Sequence, residues 1–222
     1  MIKLYGIGLS NNVAKVRYCL NYLGLEYGWE QTNPLSGENW SEEYLSINPT
    51  GKVPAIEVDG VKIFESNAII KYLAGKHNSP LYPQNLEKRA AVDQWLDFVS
   101  VHVFHAMSRV LFNRAFAPMM GEKVDEESIL VGLKFIDKYL PVLDKQLEKN
   151  KYLAGDELTL ADINLLAVLD TFPLMQVSLD AYNNVTKWQK QLQAQEWYRK
   201  CFDGSIYAQF VQNAMQQMAQ AK

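Results

Sequence analysis

Ser66 stands where Val61-Lys62-Ile63-Phe64, which alternates like a strand, gives way to Ala68-Ile69-Ile70 and a helical pattern. A hydroxyl at such a junction lies among backbone N–H groups with no intrahelical partner, and the helix dipole adds positive potential there. A carboxylate suits that position; Ser66 as an ordinary helix cap is the alternative. Glu65 beside it can accept from an ammonium, so the pair matches the α-amino acid end of a peptide. A second stretch, Asn48-Pro49-Thr50-Gly51-Lys52-Val53-Pro54, turns and then opens a strand at a proline. Proline cannot donate to a ladder and belongs at an edge or in a special turn. With a cis Val53–Pro54 bond, the N–H and C=O of Val53 would be free to pair with an extended peptide as an added strand. With a trans bond the stretch is a plain turn. Leu9-Ser10-Asn11-Asn12 follows the first strand, a position where binding groups gather, and Asn39-Trp40 puts an amide beside an aromatic ring.

These segments need a frame, and the hydrophobic period supplies one. Ile2 to Gly6 reads as a strand, and Val13, Val16, Leu20 and Leu23 recur at helical spacing before Gly24. Glu26 to Thr32 reads as a second strand, and a short helix is expected near Ser41 to Leu45. Asp59-Gly60 between two alternating runs is a hairpin signal. The order β-α-β, then β-β-α, describes a small mixed sheet covered by helices over residues 1–77. Asn78-Ser79-Pro80 and Tyr82-Pro83 mark a linker over 78–87. From 88 to 222 the pattern is helical throughout, with one long helix to near Pro118, another from about Glu126 to Leu147, and shorter ones after. Thr159-Leu160-Ala161-Asp162 has the form of a capping box, flanked by Leu158 and Ile163 at staple positions.

The chain has 222 residues and a formal net charge of −3, enough for two small cores and no electrostatic reason to seek nucleic acid or an anionic membrane. No basic stretch precedes an apolar run at the start, and nothing approaches the ~20 apolar residues of a membrane span. The two cysteines, Cys19 and Cys201, fit neither a metal cage nor a disulfide framework and suit a reducing compartment, so a cytoplasmic location is expected. His102 and His105 have metal-ligand spacing but no evident third ligand, and no metal is expected.

The order and spacing of Ser10, Asn48-Pro49-Thr50-Gly51-Lys52-Val53-Pro54 and Glu65-Ser66 resemble the cytosolic glutathione transferases. Arg109-Val110-Leu111-Phe112, Phe116-Ala117-Pro118-Met119-Met120-Gly121 and Tyr152-Leu153-Ala154-Gly155-Asp156-Glu157-Leu158-Thr159 look closest to the phi class. The resemblance implies an α/β thioredoxin-like N-terminal domain, an all-α C-terminal domain and a homodimer. It further implies conjugation of the glutathione thiolate to small hydrophobic electrophiles, with glutathione as co-substrate and no cofactor. By position, Ser10 would activate the thiol, although Asn12 falls where some relatives place an activating asparagine. Asn12 is also expected to cap the first helix, which would leave Ser10 free. Val53, ahead of a cis Pro54, would pair with the cysteinyl backbone, Glu65 and Ser66 would hold the γ-glutamyl end, and Lys52 and Asn39 would lie near the glycine carboxylate. The chain departs from the phi pattern at Asn39 (usually histidine), at Lys52 (usually glutamine) and at Thr50 (often an aromatic that plugs the partner subunit). His102, His105, Arg109, Phe112, Asn113 and Phe116 share one helical face. If that face meets a cleft between the domains, Phe112 and Phe116 with Leu9 would form its apolar wall; otherwise they are core. A glutathione-dependent reductase or peroxidase, or a non-catalytic interaction module, are the alternative functions.

Overall fold

The computed structural model describes residues 1–201; the Gln-, Ala- and Met-rich stretch from Gln209 lies outside the described residues. Strand β1 (Ile2–Gly6) leads into helix α1 (Asn11–Tyr22) and strand β2 (Tyr27–Gln31). Two short 3-10 turns, Pro34–Ser36 and Glu38–Trp40, precede α2 (Glu42–Leu45), β3 (Ala55–Val58), β4 (Val61–Phe64) and α3 (Ser66–Lys76). The sheet order is β2-β1-β3-β4, with β1 parallel to β2 and antiparallel to β3, and β3 antiparallel to β4. This is the thioredoxin-like arrangement. Asp59 and Gly60 both have positive φ, 51° and 80°, which is the twist a two-residue hairpin requires.

Helices α1 and α3 cover one face of the sheet through Val13, Val16, Leu20, Ile69, Ile70 and Leu73, all fully buried. Each such side chain contributes roughly 1.5–3 kcal/mol by leaving water. Gly6 lets α1 come close: a Cβ there would lie 2.5 Å from a methyl of Val13. The loop carrying Ser10 is therefore pinned at both ends.

The second domain begins with α4 (Leu86–Asp97), so helix starts inside the expected 78–87 linker. The helical path then continues through a wide π turn (Phe98–Val103), α5 (Phe104–Leu111), a second π turn (Phe112–Phe116) and α6 (Ala117–Met120). A uniform helix over this region is thus interrupted twice, and each wide turn re-aims the residues that follow. Helix α7 spans Glu126–Lys149, and Gly132 lets it touch α5, where a Cβ would meet the Ala106 carbonyl at 2.7 Å. Helix α8 (Leu160–Leu169) is buried at every position, and α9 (Asn183–Gln193) and α10 (Glu196–Arg199) complete the described chain. The Thr159–Asp162 capping box forms as the sequence suggests.

The two domains share a seam along α1, which packs on α3 on one side and on α8 and α10 on the other. At this seam the Tyr18 hydroxyl donates to the Asp170 carboxylate at 2.7 Å, and the Leu160 N–H donates to the Leu81 carbonyl at 2.9 Å. No helix among the described residues is long and apolar enough to cross a membrane.

Candidate active site

A cleft of about 340 Å³ opens between the domains. Leu9, Ser10, Asn11 and Val53 line it from the first domain, and Phe104, Met107, Leu111, Phe112 and Phe116 from the second. Leu9, Phe112 and Phe116 are therefore wall residues. The rest of the expected helical face is not: the π turn before Phe104 rotates a different set inward. His102 packs against the rings of Phe98 and Tyr139, the Arg109 guanidinium donates to Ser128 Oγ at 3.4 Å, and Asn113 is buried between the Arg109 carbonyl and the Asp125 N–H. Uniform periodicity missed Phe104, Met107 and Leu111 for the same reason, and Leu35, which closes the cleft from a 3-10 turn, carries no sequence signal of its own.

Ser10, and not Asn12, is the N-cap of α1. The helix starts two residues earlier than a cap at Asn12 would give, and the Val13 N–H donates to Ser10 Oγ at 3.4 Å. That bond uses a lone pair of the hydroxyl and leaves its proton free for an acceptor in the cleft. Asn12 is turned away from the cleft lining, with its Oδ1 accepting from Ser66 Oγ at 3.2 Å.

The Val53–Pro54 peptide is cis, and neither the N–H nor the C=O of Val53 is hydrogen-bonded within the described residues. The turn before it is held by two donors to one carbonyl: Asn48 Nδ2 and the Tyr44 hydroxyl reach the Lys52 oxygen at 2.6 and 2.5 Å. Burial pushes the Tyr44 phenol up to about 12, so it stays a donor at neutral pH. Asn39 is buried behind the same turn, where its amide donates to the Gly51 carbonyl at 2.7 Å. It braces the loop from beneath. Gly51 has φ +63°, with the Trp40 ring only 2.7 Å from where a Cβ would sit, so the turn and the ring fit only around glycine. The exposed Lys52 ammonium has no partner among the described residues.

Glu65 precedes α3 in a conformation that non-glycine residues seldom adopt, φ 67° and ψ 110°, and no side chain caps this helix. Ser66 is its first residue and not its cap. The first N–H groups of α3 therefore point out with their donors unspent. The Ser66 hydroxyl accepts from Lys15 Nζ at 3.0 Å. Lys15 was not picked out in the sequence, although it stands three residues after Asn12 and four before Cys19, on the inward stripe of α1. Replacing Ser66 by alanine is expected to weaken binding of a γ-glutamyl peptide by about 1 kcal/mol or more with the fold intact. Calorimetry showing unchanged affinity would count against this end of the site.

The first 75 residues match the family model described as glutathione S-transferase, N-terminal domain, and residues 107–196 match the C-terminal domain of the same family. The chain is 37% identical to glutathione S-transferase 1 of Zea mays over 191 residues, 84% of this chain and 89% of that one. Among solved structures, glutathione S-transferase-I bound with lactoylglutathione superposes with a TM-score of 0.82 at 36% identity, covering 90% of this chain and 97% of the other. Glutathione transferase F2 from Populus trichocarpa gives 0.84 at 28% identity, covering 91% and 98%. A two-domain chain with an uncapped helix end, a free backbone pair at a cis proline and a hydroxyl-bearing apolar cleft, alike along most of its length to these proteins, belongs to the glutathione S-transferase family.

Proposed function

We propose that this protein binds glutathione along the Val53–Ser66 side of the cleft and joins its thiolate to small hydrophobic electrophiles held against Leu9, Phe112 and Phe116. The observation that carries this reading is the placement of Ser10. Ser10 lines the cleft together with Val53 of the first domain and Phe112 and Phe116 of the second, so its hydroxyl would be near a cysteinyl sulfur and an electrophile held there. The γ-glutamyl carboxylate would take the N-terminus of α3 and Ser66, with the ammonium near Glu65. The cysteinyl backbone would pair with Val53, and Lys52 would reach the glycine carboxylate. Holding a thiolate beside a bound electrophile supplies a proximity advantage without base, metal or enzyme nucleophile. The test is retention on immobilised glutathione followed by a chromogenic conjugation assay; a chain that folds but neither binds nor conjugates would refute it. A reductase acting through a protein thiol finds less support, because Cys19 and Cys201 are both buried, and burial holds the Cys19 thiol well above its ordinary value and Cys201 at about 12.

The reading carries a homodimer with it, and a cytoplasmic location. Thr50 is exposed and its hydroxyl is spent on Asn48 Oδ1 at 2.8 Å, so it offers no aromatic plug to a partner. A dimer with a comparatively polar contact at this loop is the expected result of light scattering at micromolar concentration, and a monomer would reject it.

A further inference from the structure

Lys15 is only 3% exposed, and the two side chains that accept from its ammonium are neutral. Nζ donates to Ser66 Oγ at 3.0 Å and to Asn67 Oδ1 at 2.9 Å. Asn67 in turn donates to Ser100 Oγ at 2.9 Å, and Asn164 of α8 donates to the same oxygen at 3.2 Å. The lysine is therefore anchored through polar contacts reaching into the second domain. An ammonium has three donors and no acceptor. Two are used here, and the third has no partner among the described residues. Burial lowers Lys15 to about 7, while Glu65 pulls it back upward. A buried cation with a spare donor is costly unless something negative arrives beside it.

The contact with Ser66 also fixes direction. As an ammonium Lys15 can only donate, so in that form Ser66 Oγ receives on that side and must turn its own proton elsewhere. That proton goes to Asn12 Oδ1 at 3.2 Å. A carboxylate seated at the α3 N-terminus competes for it and forms the stronger, charge-assisted bond.

We propose that Lys15 is a positioning residue for the γ-glutamyl carboxylate of glutathione: it holds the Ser66 hydroxyl by its lone pair, turns the hydroxyl proton toward the ligand, and places positive charge beneath the first turn of α3. This rests on the glutathione reading above and assigns a residue that reading does not need. The substrate end it selects is the α-carboxylate of the γ-glutamyl group, distinct from the glycine carboxylate near Lys52.

The test compares glutathione with 4-aminobutanoyl-cysteinyl-glycine, which keeps the amine, thiol and glycine end but lacks that one carboxylate. Calorimetric affinities are measured for the wild type, Lys15→Met and Lys15→Gln, with Lys15→Arg as the variant that keeps the charge. Wild type should prefer glutathione by about tenfold or more, and removing the charge should cut that preference by about tenfold, the size of one charge-assisted hydrogen bond. The loss should fall on KM more than on kcat, and Lys15→Arg should restore part of the preference. Equal weakening of both peptides would show that Lys15 merely supports the fold, and would overturn the proposal. So would an undiminished preference in any folded charge-free variant, or a wild type that does not distinguish the peptides. Failure of the wild type to bind glutathione at all would instead overturn the glutathione reading.

Discussion

Ser10→Ala should raise the pKa of the bound glutathione thiol and cut turnover about 10–100-fold, the effect of losing roughly 1.5–3 kcal/mol of transition-state stabilisation. A free thiol with pKa about 8.5 is only a few per cent thiolate at neutral pH, and lowering it by two units takes about 2.7 kcal/mol in favour of the anion. A hydroxyl donating to a sulfur anion supplies most of that. Two features of the structure favour Ser10 over Asn12: Ser10 lines the cleft, and its capping bond occupies a lone pair while leaving the proton available. Alanine also removes a helix cap, at a cost of about 1 kcal/mol, whereas glycine caps nearly as well as serine. Ser10→Gly should therefore lose turnover as Ser10→Ala does while melting closer to the wild type. Thiolate absorbance of the complex against pH separates the candidates. A titration unmoved in Ser10→Ala but shifted upward in Asn12→Ala would transfer the role to Asn12.

Asp162→Ala is expected to cost about 3 kcal/mol or more of stability, because several buried neutral donors lose their acceptor at about 1–3 kcal/mol each. Its carboxylate accepts from the N–H groups of Leu153 and Thr159 at 2.9 and 3.0 Å, from the Thr159 hydroxyl at 3.0 Å and from the Trp188 indole at 3.2 Å. All four donors are buried, and alanine leaves them without an acceptor. The midpoint of thermal unfolding should fall by on the order of 10 °C in a chain of this size. A change within about 2 °C would mean that the cluster finds other acceptors. Burial raises Asp162 to about 6 despite those donors, which pull it down. The folded value then lies above that of the unfolded chain, about 4, so the native state binds the proton more tightly. Stability from this group is complete below about pH 4 and is lost as pH rises toward 6. Asp170, raised by burial to about 6, adds a slope of the same sign. Asp162→Asn should flatten the wild-type slope between those values in urea unfolding, and the difference between the two curves isolates Asp162.

What the sequence shows of this molecule follows the range of the forces involved. Asp59-Gly60 and Thr159-Leu160-Ala161-Asp162 are local devices, satisfied within a few residues, and both form as their composition suggests. Ser66 at a strand-to-helix junction is legible for the same reason, although it proves to be the first helical residue. The Asn12 cap failed by two residues, because Ser10 and Asn12 are both good caps and the choice turns on where β1 releases the chain. The cleft wall was half legible: Phe112 and Phe116 were found, but the π turns that bring Phe104, Met107 and Leu111 inward leave the apolar pattern looking like ordinary helix. Lys15 was hidden for a different reason. A lysine on a helix is usually solvated, and its burial depends on Ser66 and Asn67, more than fifty residues away in sequence.

The cleft's two walls come from separate stretches of chain, and that division has a bearing on descent. The ledge that would hold glutathione is built from residues 9–66, while Phe104 to Phe116 furnish the opposite side. Substitutions along the second stretch alter the shape and polarity offered to an electrophile and leave the hydroxyl, the free backbone pair and the helix end untouched. On the proposed reading, a lineage carrying this chain would sample new electrophiles by single steps, with selection holding one half constant while the other drifts.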